Sequence, residues 1–167
     1  MAFGTSSKIF RAWPLAIFGQ GQTAAVLPAG YAGLGADTVK GALYGNGGTP
    51  DSDAALTSTG YNTGAWVTGN EVSDTNWAAG GRTLASKTLT NPSTGVFMFD
   101  AADLAGGGNV TLSNVYGILH HDASITAGTG GVASQGICYN YLGGPQSVTA
   151  GTFTVVYSAN GICRITV

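Results

Sequence analysis

Short runs of alternating apolar and polar side chains dominate the chain from residue 37 onwards. Val39 and Leu43 fall on one side of such a run and Lys40 on the other, and residues 162–167 alternate in the same way. A period of two is typical of a β-strand with one buried face. Residues 110–121 are apolar on both sides of the alternation, which predicts a strand buried on both faces.

Segments rich in glycine, proline and asparagine separate these runs and have the chemistry of turns. Residues 83–90 and 95–100 predict two strands joined by a hairpin loop at 91–95, and residues 134–142 and 152–157 predict two more, separated by a turn at 143–146. Almost no segment has helical periodicity. We therefore predict an all-β fold, an antiparallel β-sandwich of about eight strands, of jelly-roll or immunoglobulin-like type.

Residues 70–84 predict a specified turn between strands. Gly80 and Gly81 can adopt positive φ without steric cost, so the chain can reverse or bulge there. We expect Trp77 and Leu84 to pack onto apolar surface on either side of the glycine pair. The segment contains no nucleophile, base or ligand cluster, so its predicted role is to shape the fold.

The first 35 residues differ from the rest of the chain. Their apolar pieces are short, broken by glycine and without clean alternation, which predicts an extended arm over 1–35 and a β-sandwich domain over 36–167. Pro14 and Gly19 interrupt the apolar run, which argues against a secretory signal. Six apolar residues of the arm are candidates for contact with a partner, and docking on the chain's own body is an equal alternative: Ile9, Phe10, Trp13, Leu15, Ile17 and Phe18.

Charge is scarce. Only 8% of the 167 residues are charged, against about 25% in an ordinary soluble domain. A surface with so little charge repels its neighbours weakly, which favours a protein that works packed against others. The six basic residues are scattered and the net charge is −2, so we expect no nucleic-acid partner. No run approaches the length of a membrane helix, so we expect no membrane partner.

Few residues suggest chemistry. His120 and His121 are adjacent and would point to opposite faces of a strand, with Asp122 available as a hydrogen-bond acceptor for either. Cys138 and Cys163 can be free thiols, which we favour, or a disulfide. No acid, base and nucleophile fall into a recognisable pattern. We predict no catalytic, cofactor or metal site and no enzymatic activity.

Several segments resemble small virion proteins of tailed bacteriophages, described as head decoration or minor structural proteins. The similarity extends from residue 37 to about residue 167, and the motif with Glu71, Val72 and Trp77 before the glycine pair is its most distinctive part. The segments that carry it are 37–43, 44–51, 69–73, 76–84, 99–104 and 115–119.

This resemblance implies a virion protein on the phage head surface that binds the major capsid protein and stabilises contacts between capsid subunits. It also implies self-association, and a trimer would suit a three-fold lattice position. The alternatives are a tail- or fibre-associated component and a carbohydrate-binding β-sandwich, in which Tyr61, Trp66 and Trp77 would stack on sugar.

Overall fold

The fold is all-β, as predicted. The computed structural model describes residues 6–10, 29–126 and 132–166. Every strand pair within them is antiparallel. The described strands number ten, four of them with only two residues: β1 Lys8–Ile9, β2 Val39–Tyr44, β3 Arg82–Thr83, β4 Thr88–Ser93, β5 Val96–Asp100, β6 Leu104–Ala105, β7 Val110–Asp122, β8 Gln135–Gly151, β9 Thr154–Val155 and β10 Cys163–Thr166. Three single-turn 3-10 helices lie at Leu56–Ser58, Gly64–Trp66 and Thr68–Asn70.

A five-stranded sheet organises the molecule, in the order β1-β8-β7-β2-β3. β7 lies at its centre, and its last six residues pair with β2 on one side and with β8 on the other. Residues 117–122 of β7 are all buried. The prediction of a strand buried on both faces is therefore confirmed for this half of β7.

Aromatic side chains from the loops cover one face of this sheet. The Trp66 ring lies 5.1 Å from the Tyr44 ring and 5.5 Å from the Tyr139 ring, and the Tyr44 hydroxyl donates to the backbone carbonyl of Trp66. The segment between β2 and β3, which includes the three 3-10 helices, therefore serves as a packing layer in place of a second sheet.

Two smaller sheets cover the other face, in the orders β10-β5-β4 and β6-β9. Asn140 Nδ2 of β8 donates to the Ile162 carbonyl next to β10 at 3.2 Å, and His120 Nε2 of β7 lies 2.9 Å from the Tyr157 hydroxyl. Gly41 of β2 is in close contact with Ile118 and Leu104, where an added Cβ would lie 2.7 Å from both side chains. These contacts place part of the core between the large sheet and the small ones.

Two of the predicted strand boundaries are wrong. Residues 83–90 do not form one strand, because Arg82–Thr83 pairs with β2 whereas Thr88–Ser93 pairs with β5 in the other sheet. The predicted turn at 143–146 lies within β8 instead. Tyr141 pairs with Gly117 and Gln146 with Val115, so four residues of β8 lie opposite one residue of β7. Gly143 and Gly144 have positive φ, so the glycine pair forms a bulge in a continuous strand pair.

The start of the chain joins the large sheet. Lys8 and Ile9 pair with Tyr139 and Cys138 of β8, which makes β1 an edge strand. Residues 1–5 and 11–28 of the predicted arm lie outside the described residues, whereas residues 29–35 are described and include the buried Leu34.

Candidate functional site

An uncovered apolar area on the sheet β10-β5-β4 is the candidate functional site. Phe97 pairs with Ile165, and Phe99 pairs with both Leu89 and Cys163, so the strand register places all five side chains on one face of this sheet. Phe99 is fully buried, whereas Leu89 is 42% exposed and Phe97 37% exposed. We call the exposed Leu89 and Phe97, together with the half-buried Ile165, the open apolar face.

No charged side chain belongs to the same face of these three strands. Their only charged residues are Asp100 and Arg164, and the register places both on the opposite side of the sheet. A groove of about 490 Å³ lies beside the open apolar face. Phe97 and Ile165 form its apolar wall, and the hairpin between β4 and β5 forms its polar wall with Asn91, Ser93 and Thr94. This arrangement suits a neutral, mixed apolar and amide surface of a partner.

Strand β4 borders this face and is an edge strand. All six of its residues are exposed, and within the described residues it pairs only with β5. Pro92 removes one backbone donor from that edge, which weakens it as a template for a further strand. A partner is therefore expected to bind through the side chains of the open apolar face and not by adding a strand to β4.

The open apolar face was not predicted from the sequence. Its signal was present in the hairpin, because the alternation of Phe97 and Phe99 marks one face of β5. Sequence alone did not show that the large sheet covers Phe99 but leaves Phe97 exposed.

The structure places two of the six arm residues that the sequence analysis singled out. Phe10 is fully buried, with ring centroids 5.7 Å from Trp66 and 5.5 Å from Tyr139, and Ile9 is half-buried in β1. Phe10 thus follows the alternative of docking on the chain's own body. The other four, Trp13, Leu15, Ile17 and Phe18, lie outside the described residues, and their contact with a partner stays a prediction.

The turn segment 70–84 behaves as predicted. Gly80 and Gly81 both have positive φ, and Trp77 and Leu84 are buried. Glu71 holds the segment together, because its carboxylate accepts from the Tyr61 hydroxyl at 2.7 Å and from the Gly80 amide at 2.8 Å. Desolvation raises the pKa of Glu71 above its usual range, and desolvation followed by the nearby Glu71 raises the pKa of Tyr61 to about 12.

The two histidines point to opposite faces of β7, as predicted. His121 stacks on Tyr61 with ring centroids 4.9 Å apart, and its Nε2 lies 3.1 Å from the Gly80 carbonyl. His120 faces the small sheets. Burial lowers the pKa of His120 to about 3 and that of His121 to about 4, so both rings are neutral near pH 7.

Asp122 does not accept a hydrogen bond from either histidine, contrary to expectation. One of its carboxylate oxygens accepts from the Ser124 amide at 3.0 Å, and its side chain lies close enough to the Asp37 carboxylate to interact with it. The Asp37 carboxylate is held in turn by the amides of Ala32 and Gly33. Desolvation, followed by the contact with Asp37, raises the pKa of Asp122 to about 7.

A second cluster of potentially reactive side chains surrounds Cys138. Its Sγ lies 3.8 Å from Nδ1 of His120 and 3.8 Å from Oδ1 of Asn140, and both cysteines are free thiols. The interaction with the Cys163 thiol, followed by burial, raises the pKa of the Cys138 thiol well above its ordinary value. A raised thiol pKa disfavours the thiolate, so Cys138 is not an activated nucleophile while Cys163 beside it is a free thiol.

Neither tryptophan that could have stacked on sugar is at the surface, because Trp66 and Trp77 are both core residues. Tyr61 is half-buried between Glu71 and His121. Across residues 6–10, 29–126 and 132–166, no three histidine, cysteine or carboxylate side chains come together to form a metal site, and no helix is both long and apolar enough to span a membrane.

Comparison with known proteins gave no match to a protein family, to a curated protein or to a solved structure.

Proposed function

We propose that this chain is a structural protein of a tailed-phage virion, most specifically a decoration (cement) protein. It binds the major capsid protein on the outer head surface and stabilises contacts between capsid subunits. The observation that carries the binding mode is the open apolar face, where Leu89 and Phe97 are exposed on a sheet face without charge.

The expected gain for each copy is small. Complete burial of a leucine or phenylalanine side chain is worth about 1.5 to 3 kcal/mol, so covering the exposed fractions of Leu89 and Phe97 contributes about 1 kcal/mol each. Many copies on a lattice would multiply this modest contribution, which is how a cement protein reinforces a shell. The low charge of the chain fits such a role, because neighbouring copies would repel one another weakly.

Three of the six segments that resemble phage virion proteins come together in the large sheet. Residues 37–43 include most of β2, residues 76–84 reach β3, and residues 115–119 lie within β7, and these three strands are neighbours in the large sheet. The resemblance therefore concerns the scaffold. The open apolar face lies outside those segments, which suits a surface that varies with its partner.

The finer architecture and the assembly state belong to the same proposal. We interpret the sheet β10-β5-β4 and the large sheet as the two halves of a β-sandwich, of jelly-roll or immunoglobulin-like type. Self-association, with a trimer at a three-fold position, would place several open apolar faces on one capsid site.

Two measurements test this proposal. The first is the copy number of the chain relative to the major capsid protein in purified particles, by quantitative mass spectrometry. One copy per capsid subunit, or one per three, supports decoration. A few copies per particle would assign the chain to the tail or a fibre, and its absence from particles would refute a virion role.

The second measurement is the occupancy of capsids that lack the chain after purified variants are added. Leu89→Ser and Phe97→Ser should each lower the apparent affinity by about fivefold, which corresponds to about 1 kcal/mol. Val156→Ser is the matched control, because Val156 is 71% exposed and lies outside the open apolar face. Wild-type binding by both face variants would exclude this face as the contact.

A further inference from the structure

Two thiols lie across the interface between the large sheet and the sheet β10-β5-β4. Cys138 is on β8, in register with His120, and Cys163 begins β10, in register with Phe99. The Cys138 and Cys163 side chains interact, and both line one cleft between the two sheets. Asn140, two residues after Cys138, donates to the carbonyl of Ile162, so the backbones of the two sheets approach each other at this point.

A cleft of about 390 Å³ opens onto the thiol pair. Cys138 lies on its buried side, and the half-buried Cys163 lies nearer to solvent. Lys8 of β1 and Arg164 of β10 are exposed at the rim of the cleft, on the opposite sides of their strands from the thiols, and no carboxylate of the described residues lines it. Arg164 Nη1 donates to Oδ1 of Asn160, which also lines the cleft. The charge of the lining therefore favours an anionic molecule.

We propose that Cys138 and Cys163 form a modification site that an anionic low-molecular-weight disulfide, of the glutathione disulfide type, converts into a disulfide bond between the two sheets. Cys163 reacts first because the cleft exposes it. Cys138 resolves the intermediate because it lies behind Cys163, against His120. This inference is independent of the virion role.

The reaction is two successive thiol–disulfide exchanges. The Cys163 thiolate attacks one sulfur of glutathione disulfide, the bond between the two glutathione sulfurs breaks, and one glutathione leaves and takes up the proton that Cys163 lost. The Cys138 thiolate then attacks the Cys163 sulfur of this mixed disulfide, and the second glutathione leaves with the proton from Cys138. Two protein thiols are oxidised by two electrons in total, and one glutathione disulfide is reduced to two glutathione molecules.

The principal experiment is intact-mass spectrometry of the reduced full-length chain during incubation with glutathione disulfide. We expect a transient gain of about 305 Da for the mixed disulfide and then a final loss of about 2 Da relative to the reduced chain. The chain has only two cysteines, so the final mass in a monomer identifies the bond. An unchanged mass, a stable mixed disulfide or a disulfide-linked dimer would each overturn the proposal.

Two single variants test the order of attack. Cys138→Ser should stop at the mixed disulfide on Cys163, whereas Cys163→Ser should remain largely unmodified, because Cys138 is buried. The reverse pattern would refute the assigned roles. Circular dichroism of each variant checks the fold, and the wild-type mass series remains decisive if either variant fails to fold.

The role of the cleft charge is tested with two disulfides. Arg164→Gln should slow the reaction with glutathione disulfide about two- to fivefold and leave the reaction with neutral 2-hydroxyethyl disulfide unchanged. Equal slowing with both reagents would show that Arg164 acts through local structure, and no slowing with either would exclude recognition of the anion by Arg164.

Discussion

Replacement of Gly81 by alanine should destabilise the fold far more than replacement of its neighbour Gly80. Both glycines have positive φ, +77° at Gly81 and +86° at Gly80, so alanine is strained at both positions. Their surroundings differ. A Cβ on Gly81 would lie 2.2 Å from the carbonyl oxygen of Gly41, whereas a Cβ on Gly80 would have no neighbour closer than Tyr61 at 3.9 Å.

The magnitude can be worked from these contacts. A left-handed conformation costs an L-residue about 1 to 2 kcal/mol. Alanine also lowers the conformational entropy of the unfolded chain, which stabilises the fold by about 0.4 to 1 kcal/mol and offsets part of this cost. Gly80→Ala should therefore cost about 1 kcal/mol or less. Gly81→Ala carries an additional overpacking cost of about 1 to 3 kcal/mol, because Gly41 lies in β2, which β7 and β3 hold on both sides.

Urea unfolding followed by tryptophan fluorescence measures this difference, since Trp66 and Trp77 are buried in the native state. We expect Gly81→Ala to be less stable than Gly80→Ala by about 2 kcal/mol, with the same dependence on urea. In a thermal scan this corresponds to a lower Tm by about 4 to 8 °C. Equal free energies of unfolding within about 0.5 kcal/mol would show that the close approach of Gly81 to β2 does not constrain the native state.

Three further predictions concern the buried aromatic and titratable groups. Phe10→Ala should lower the free energy of unfolding by about 3 to 5 kcal/mol, because Phe10 is fully buried against Trp66. A shift in the urea midpoint measures this loss. A loss below about 1 kcal/mol would show that this end of the chain does not contribute to the core. Stability should rise from pH 4 to 6.5, because His120 and His121 bind protons in the unfolded chain but remain neutral in the fold. Asp122→Asn should steepen that rise. With a pKa of about 7, Asp122 holds a proton in the fold that it loses in the unfolded chain, so it lowers the stability as pH increases. Urea titrations at several pH values measure the slope for the wild type and the variant, and equal slopes would contradict the raised pKa of Asp122.

The sequence predicted best those elements whose local pattern agrees with their environment in the fold. β7 was recognised because its apolar residues occupy both sides of the alternation, and layers cover both of its faces in residues 117–122. Gly80 and Gly81 were recognised because positive φ is a local property of the backbone.

The errors arose where one local pattern is compatible with two structures. Gly143 and Gly144 suit a turn and a bulge equally, and only the pairing of β8 with β7 on both sides of them decides for the bulge. The cluster of Cys138, His120 and Cys163 could not be predicted, because it brings β7, β8 and β10 together through tertiary packing.

The pairing of β2 with β7 has a consequence for synthesis of the chain. Their paired residues are separated by 73 to 83 positions, so β2 leaves the ribosome well before its principal partner exists. At about 5 to 20 residues per second, the edge of β2 that pairs with β7 waits about 4 to 16 seconds unpaired. Folding is then limited by non-local pairing and is slow, in the range of milliseconds to seconds after release. High expression should therefore yield more soluble protein at low temperature, where translation is slower and nascent chains are fewer.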